Sequence, residues 1–430
     1  MKKEKIIYII TIILGALFLV IGHNVASENI IKMKENVNEY KVEKAEVVSV
    51  NPKEGENVDF EFFFTEKDDE SRHKASQDVK TAEPVKIGDK IYVSQNSDQK
   101  DQYVFFDFLR INQLIVLAIV FLILVIVFAG KKGFNTIISL AFTLITLFGI
   151  FLPAILSNYN IYLWGAISCI AIVVFTLIIV HGYNKKSLGS GLGTLLGLLF
   201  AWGVMQVSSQ FFHFTGLVSE DAMYLKFNNF GLDVDIKALF FTTIIIGALG
   251  AVMDVAMSIS SSLYEFKQLK PEITTKELVK AGIEIGKDIL GTMTNTLILA
   301  YVGSGFITII IIVTVNVDLA EVFNKEFLIA QIFEPLIGSF GIVASLPITS
   351  VICAYLFNNH VFSKKKEAIT STGQTISVAA ELVEDEEDES IKELASELIK
   401  EELKDKDDIS SEKKDIDNKE ALEDDESDKE

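Results

Sequence analysis

Residues 114–130 read LIVLAIVFLILVIVFAG, residues 131–133 read KKG, and residues 134–152 read FNTIISLAFTLITLFGIFL. Neither apolar run contains a charged residue. About 20 helical residues cross a ~30 Å hydrocarbon core, so two such runs in succession read as two membrane spans. The lysines between them mark a short cationic turn.

The same pattern extends in both directions. Candidate spans are Ile6–Gly22, Leu114–Gly130, Phe134–Leu152, Ile161–Val180, Leu188–Val207, Ala238–Leu263, Ile289–Val315 and Phe327–Phe357. The expected fold is an all-α polytopic membrane bundle of about eight transmembrane helices with a small extracytoplasmic β-rich domain. Its segments are a first span or signal anchor (1–23), the β-rich domain (24–112), and a seven-helix bundle (113–358) with a cytoplasmic loop at 264–287. An acidic tail (359–430) follows. Pro335 and Pro347 predict a kink or interruption in the last run, because each removes a backbone donor and clashes with the preceding turn.

Lysine distribution sets the orientation. Lys2, Lys3 and Lys5 precede the first span, and Lys131–Lys132, Lys185–Lys186, Lys267–Lys287 and Lys364–Lys366 then fall on the same side. Both termini are expected in the cytoplasm of a bacterial cell. Residues 158–160, 208–237 and 316–326 are left outside. Val25-Ala26-Ser27 also fits a signal-peptidase site, and cleavage there would leave seven spans without moving any later loop.

The net charge of −20 coexists with 50% hydrophobic residues, so acid and oil must be segregated. Residues 361–430 carry 25 Asp/Glu against 11 Lys, and residues 24–110 carry 19 acidic against 13 basic residues. The remainder balances to zero. No basic stripe exists to neutralise phosphates, so no nucleic-acid partner is expected. The tail composition predicts a solvated, disordered segment, with a helical spacing at Ile391–Leu403 suited to a partner.

In the outer domain, Tyr40–Val50 predicts a strand, Val58, Phe60 and Phe62 alternate with acids, and Val85–Val93 is broken by a Gly88-Asp89 turn. A small barrel or sandwich follows, with Phe60–Phe64 as core. Residues Pro271–Lys287 predict a cytoplasmic helix capped by Thr274 or Thr275, with Glu277 in its first turn.

The two cysteines, Cys169 and Cys353, both lie in apolar runs and predict no disulfide or zinc site. The five histidines are scattered; His213 near Glu220 and Asp221 is the weak exception. No cofactor, metal or catalytic signature is present, and no enzyme activity is expected.

Ionisable groups inside a span cost about 2.5–3.5 kcal/mol on insertion scales and mark function by default. Gly247, Gly250, Ala251, Asp254, Ser258 and Ser261 share one helical stripe, with Glu265 below it. Asp288, Thr292, Asn295 and Thr296 share a face of the next span. Asp254 and Asn295 fall at similar depth, ~10–12 Å from the cytoplasmic side at 1.5 Å per residue. Glu334 stands beside Pro335, with Gly338, Gly341 and Ser345 continuing its face, as in cation sites of broken helices. Two roles compete for Asp254: a wall of an aqueous pathway, or a hydrogen-bonding contact between helices. Gly189, Gly193 and Gly197 form a ridge for close helix packing, within the bundle or in a dimer.

Gly247–Tyr264, with Met253-Asp254-Val255-Ala256 and Ser258–Ser262, resembles the signature of the YibE/F family of bacterial multi-pass membrane proteins. The likeness continues through Gly286, Asp288, Gly291-Thr292-Met293, Asn295-Thr296-Leu297, Ala300-Tyr301, Glu334, Gly338-Ser339 and Gly341-Ile342-Val343. With Gly88-Asp89, Arg110 and Gly130–Gly133, it spans about residues 40–360. The resemblance implies a polytopic membrane protein and supplies no substrate. The expected function is an ion-coupled transporter or permeation protein with a polar pathway between spans six, seven and eight. The candidate pathway residues are Asp254, Ser258, Ser261, Asp288, Thr292, Asn295, Glu334 and Ser345. The expected partners are the lipid bilayer, a small solute or ion, and a second copy or another membrane protein. The alternative is a non-transporting scaffold or sensor whose acidic tail recruits a partner.

Overall fold

The computed structural model describes residues 2–28, 42–52, 57–65, 71–78, 80, 82–95, 103–227, 233–314 and 324–358. The expectations for the acidic tail and for Tyr40 lie outside them.

Five strands follow the first helix, α1 (Lys2–Ala26): β1 (Val42–Pro52), β2 (Asn57–Phe64), β3 (His73–Asp78), β4 (Lys90–Gln95) and β5 (Tyr103–Phe108). They close into a barrel in the order β1-β2-β3-β5-β4, with β3 and β5 parallel through Ala75↔Tyr103. Closure gives each of the five described strands a neighbour on both sides. The alternation in β2 sends Phe60, Phe62 and Phe64 inward against Ala45, Val47, Ile91 and Val93. The aromatic run is therefore core, as its period of two requires. The expected turn also forms: Gly88 takes φ +90°, a conformation that favours glycine, and its N–H donates to Val47 O at 2.8 Å.

Leu109 N donates to Lys90 O at 2.9 Å, and two residues later the chain enters helix. The helices are α2 (Ile111–Thr146), α3 (Leu152–Leu156), α4 (Ile161–His181), α5 (Lys185–Phe212), α6 (Glu220–Phe227), α7 (Ile236–Leu269), α8 (Thr275–Thr314) and α9 (Glu326–Asn358). A π-helical turn, Leu147–Phe151, joins α2 to α3.

Seven helical runs among the described residues are long and apolar enough to cross a membrane, where eight were expected. The difference lies in Ile111–Leu156, which counts as one run of 46 residues. It is not one straight rod. Gly130 has φ 53° and ψ −127°, outside the helical region, and a Cβ on Gly133 would fall on the Val125 carbonyl oxygen. In a straight helix those residues stand ~12 Å apart, so the axis turns sharply at Gly130.

Two further expectations are narrowed. The last span runs through Pro335 and Pro347 as one helix, α9, without interruption. Ser339 Oγ donates to Pro335 O at 2.7 Å within it. The helix expected at Pro271–Lys287 is the first part of α8 rather than a separate element, and α7 already extends to Leu269. The connection within 264–287 is therefore only residues 270–274. The expected cap does form as a capping box: Thr274 N and Oγ1 each donate to Glu277 Oε2 at 2.9 Å, and Glu277 N donates to Thr274 Oγ1 at 3.3 Å.

α1 packs on α2 and α4: Tyr8 Oη donates to Asn135 Oδ1 at 3.0 Å, and Asn135 Nδ2 donates to Ile179 O at 2.9 Å. The glycine ridge of α5 lies against α9. Gly189 faces Cys353, Gly193 faces Thr349, and Gly197 faces Ser345 and the Gly341 carbonyl. Rising numbers on α5 meet falling numbers on α9 in steps of four, so the two helices are antiparallel with matched ridges.

Candidate functional site

Small residues also set the spacing of α7, α8 and α9. A Cβ on Gly247 would stand 2.6 Å from the Tyr301 hydroxyl, and one on Gly282 would meet Ser350 Oγ at 2.5 Å and Leu263 Cδ1 at 2.9 Å. Gly338 faces Leu297 and Ala248, and Gly305 faces Gln331. These contacts make α8 antiparallel to both α7 and α9.

The same contacts set relative depth. Between the pairs 247/301 and 263/282, Ser258 falls level with Asp288, and Asp254 falls level with Met293. Asn295 is then within about two residues of the Asp254 level, ~3 Å along the axis. Glu334 does not join them. It lies level with Tyr301 and within electrostatic reach of it, about 13 Å along the bundle from Asp254 at 1.5 Å per residue.

Most of the stripe on α7 is exposed rather than packed inside the described structure. Thr243, Gly247, Gly250, Asp254 and Ser258 are exposed, and Ser261 is half-buried. On α8, Asp288, Gly291, Thr292, Asn295 and Thr296 are exposed. Thr292 Oγ1 donates back to Ile289 O at 2.9 Å, and Thr296 Oγ1 to Thr292 O at 2.8 Å, which satisfies both hydroxyls within the helix. Asp254, Asp288 and Asn295 have no hydrogen bond or ion pair among the described residues. Glu334 is half-buried.

Ser345 stands apart from the other candidates. It is fully buried in the α5–α9 contact against Gly197, and its Oγ donates to Ile342 O at 2.9 Å. Its small side chain serves close packing there. The candidate residues therefore divide into three groups. One is an exposed stripe (Asp254, Ser258, Asp288, Thr292, Asn295, with Ser261 at its border), one a deeper group around Glu334, and one a packing serine.

The Glu334 group includes two polar residues that were not among the sequence candidates, Tyr301 and Gln331. Gln331 lies one turn before Glu334, and its Oε1 would stand 2.6 Å from a Cβ on Gly305. The three-residue spacing of Gln331 and Glu334 was the available signal.

At the far end of α7, a cavity of about 330 Å³ is lined by Asn158, Tyr159, Asn160, Tyr162, Asp233 and Asp235, among others. Asn160 and Asp235 are committed to helix caps, accepting from Leu163 N and Ala238 N at 3.0 Å each. His213 ends α5 in the left-handed conformation, with Nδ1 3.0 Å from Phe211 O.

The YibE/F-like protein family matches residues 117–359, more than half of the chain. The match begins inside α2, so the barrel lies outside it, although the likeness drawn from sequence reaches back to about residue 40. No curated protein and no solved structure matches this chain. The exposed stripe of α7 and α8, the Glu334 group and the α5–α9 ridge all fall within the matched residues. This chain is a multi-pass helical membrane protein and belongs to the YibE/F-like protein family.

Proposed function

We propose that this protein is an eight-span permeation or ion-coupled transport protein of the bacterial cell membrane, with its polar pathway along α7 and α8. The supporting observation is the chemistry of the α7 surface. From Ile236 to Glu265 no large apolar side chain is exposed, and the exposed positions are Thr243, Gly247, Gly250, Asp254, Ser258 and Glu265. A helix of this apolarity facing lipid presents Leu, Ile, Val or Phe; one facing water or protein presents what α7 presents.

The eight-span topology counts 111–129 and 131–156 as separate spans on either side of Gly130, at 19 and 26 residues. Each reaches ~28 Å or more as a helix. With the lysine distribution, this leaves residues 24–110 outside and both termini in the cytoplasm. The chain performs no covalent chemistry of its own in this proposal; it moves an ion or small solute.

The test is solute or ion flux in proteoliposomes, with Asp254→Asn as the decisive variant. Asn keeps the shape and can still donate and accept hydrogen bonds, so a contact between helices survives the change. Folded Asp254→Asn protein that has lost flux supports the pathway. Full function in Asp254→Asn, with cysteines at 254 and 295 inert to a water-soluble thiol reagent, leaves the scaffold or sensor role in its place.

A further inference from the structure

The α7–α8 surface poses a problem that the described chain does not resolve. Other exposed helix faces suit lipid: α5 presents Leu192, Leu196, Leu199 and Phe200, and α9 presents Ile332, Leu336, Phe340 and Val343. On the α7 stripe no large apolar residue is exposed, and from Asp288 to Thr296 the exposed residues of α8 are Asp288, Gly291, Thr292, Asn295 and Thr296, with Ile289, Leu290 and Met293 half-buried beside them. An unpaired carboxylate and amide within membrane-spanning helices cannot face hydrocarbon, which offers them no hydrogen-bond partner, so this face meets water or protein. The glycine ridge of α5 cannot supply the contact, since α9 already occupies it. Residues 359–430 cannot supply it either, as their acidic sequence holds no run apolar enough to enter the bilayer.

A second copy inserts in the same orientation, so any two-fold axis relating the copies runs along the membrane normal and preserves depth. Only residues at equal depth can then meet across the interface. The depths of this face are matched in the required way. Ser258, a donor, is level with Asp288, an acceptor, and the Asp254 carboxylate is within about a turn of the Asn295 amide. We propose that a second copy of this chain covers the face. In this isologous dimer, the α7 stripe of one copy meets the α8 stripe of the other, with Asp254 accepting from Asn295 and Ser258 donating to Asp288. The polar pathway then lies between two subunits. The dimer requires the helices to span a membrane; it does not require transport.

Disulfide trapping in native membranes tests this. In a Cys169→Ala, Cys353→Ala background, two differently tagged copies are co-expressed, one carrying Ser258→Cys and the other Asp288→Cys, and then oxidised. The expected result is a product carrying both tags, several-fold above the yield from Ser258→Cys with Leu188→Cys, an exposed α5 residue at the same depth. The pair Ala251→Cys and Thr296→Cys is also level, leaves Asp254 and Asn295 intact, and decides the matter if the first pair fails to accumulate. Absence of a doubly tagged product from whichever pair accumulates, or an adduct to a different protein, overturns the dimer. Trapping without flux would remove the transport proposal and keep the dimer, and flux without trapping would do the reverse.

Discussion

The first segment of α2 and the outer stripe of α7 are both exposed along most of their length, yet they present opposite chemistry. From Leu114 to Phe128 the exposed side chains of α2 are Leu, Ile, Val, Phe and Ala, whereas those of α7 from Thr243 to Ser258 are Thr, Gly, Asp and Ser. Both sit in runs hydrophobic enough to enter a bilayer. Exposure in an isolated chain therefore does not identify the environment; the side chains that are exposed do. The exposed face of α2 suits hydrocarbon, and that of α7 suits protein or water.

The contrast can be broken by exchanging the chemistry. Leu117 is 67% exposed in the middle of the first α2 segment. Leu117→Asp should cost roughly 2.5–3.5 kcal/mol of insertion, read as a loss of membrane-integrated protein in a glycosylation-tagged insertion assay. Asp254→Leu should insert at least as well as wild type. Equal insertion of Leu117→Asp and wild type would mean that α2 does not face lipid.

A second comparison lies within α5. A Cβ on Gly193 falls on the Thr349 side chain, while one on Gly203 meets nothing within 4 Å. Gly193→Ala should destabilise the detergent-solubilised protein by about 1–3 kcal/mol through overpacking. Gly203→Ala should be neutral or gain up to about 1 kcal/mol from helix propensity. Thermal unfolding followed by size-exclusion chromatography distinguishes them, and matching melting temperatures would contradict the ridge.

The capping box at the start of α8 should have a smaller effect. Thr274→Ala removes one acceptor and one donor of the reciprocal pair with Glu277 and should cost about 1 kcal/mol. The readout is faster amide exchange confined to the first turn of α8. Truncation after Lys366 should change least of all, because the acidic tail has too little apolar surface to offset its chain entropy. A substantial drop in melting temperature on truncation would show that the tail docks on the bundle.

Much of this was legible in sequence because it depends on local periodicity. Phe60, Phe62 and Phe64 are core because strands alternate, and Thr274 caps α8 because Glu277 follows three residues later. Gly189, Gly193 and Gly197 pack closely because helices repeat near four. The depth match of Asp254 and Asn295 also follows from counting along two helices. Of the kink or interruption expected at Pro335 and Pro347, the interruption is absent, since α9 continues as one helix through both positions.

By itself, then, the sequence determined which segments are apolar enough to enter a membrane, that Phe60, Phe62 and Phe64 form the barrel core, and that a capping box at Thr274 opens a helix. Hydropathy and period are properties of each segment alone. Only the tertiary structure decided which face of each segment is covered. It assigned Ser345 to a packed interface, grouped Glu334 with Tyr301, and left Asp254, Ser258 and Asn295 on an open surface. The physical reason is that a polar stripe has the same periodicity whether it faces a neighbouring helix, water or a second copy, and only the packing of the other helices distinguishes these.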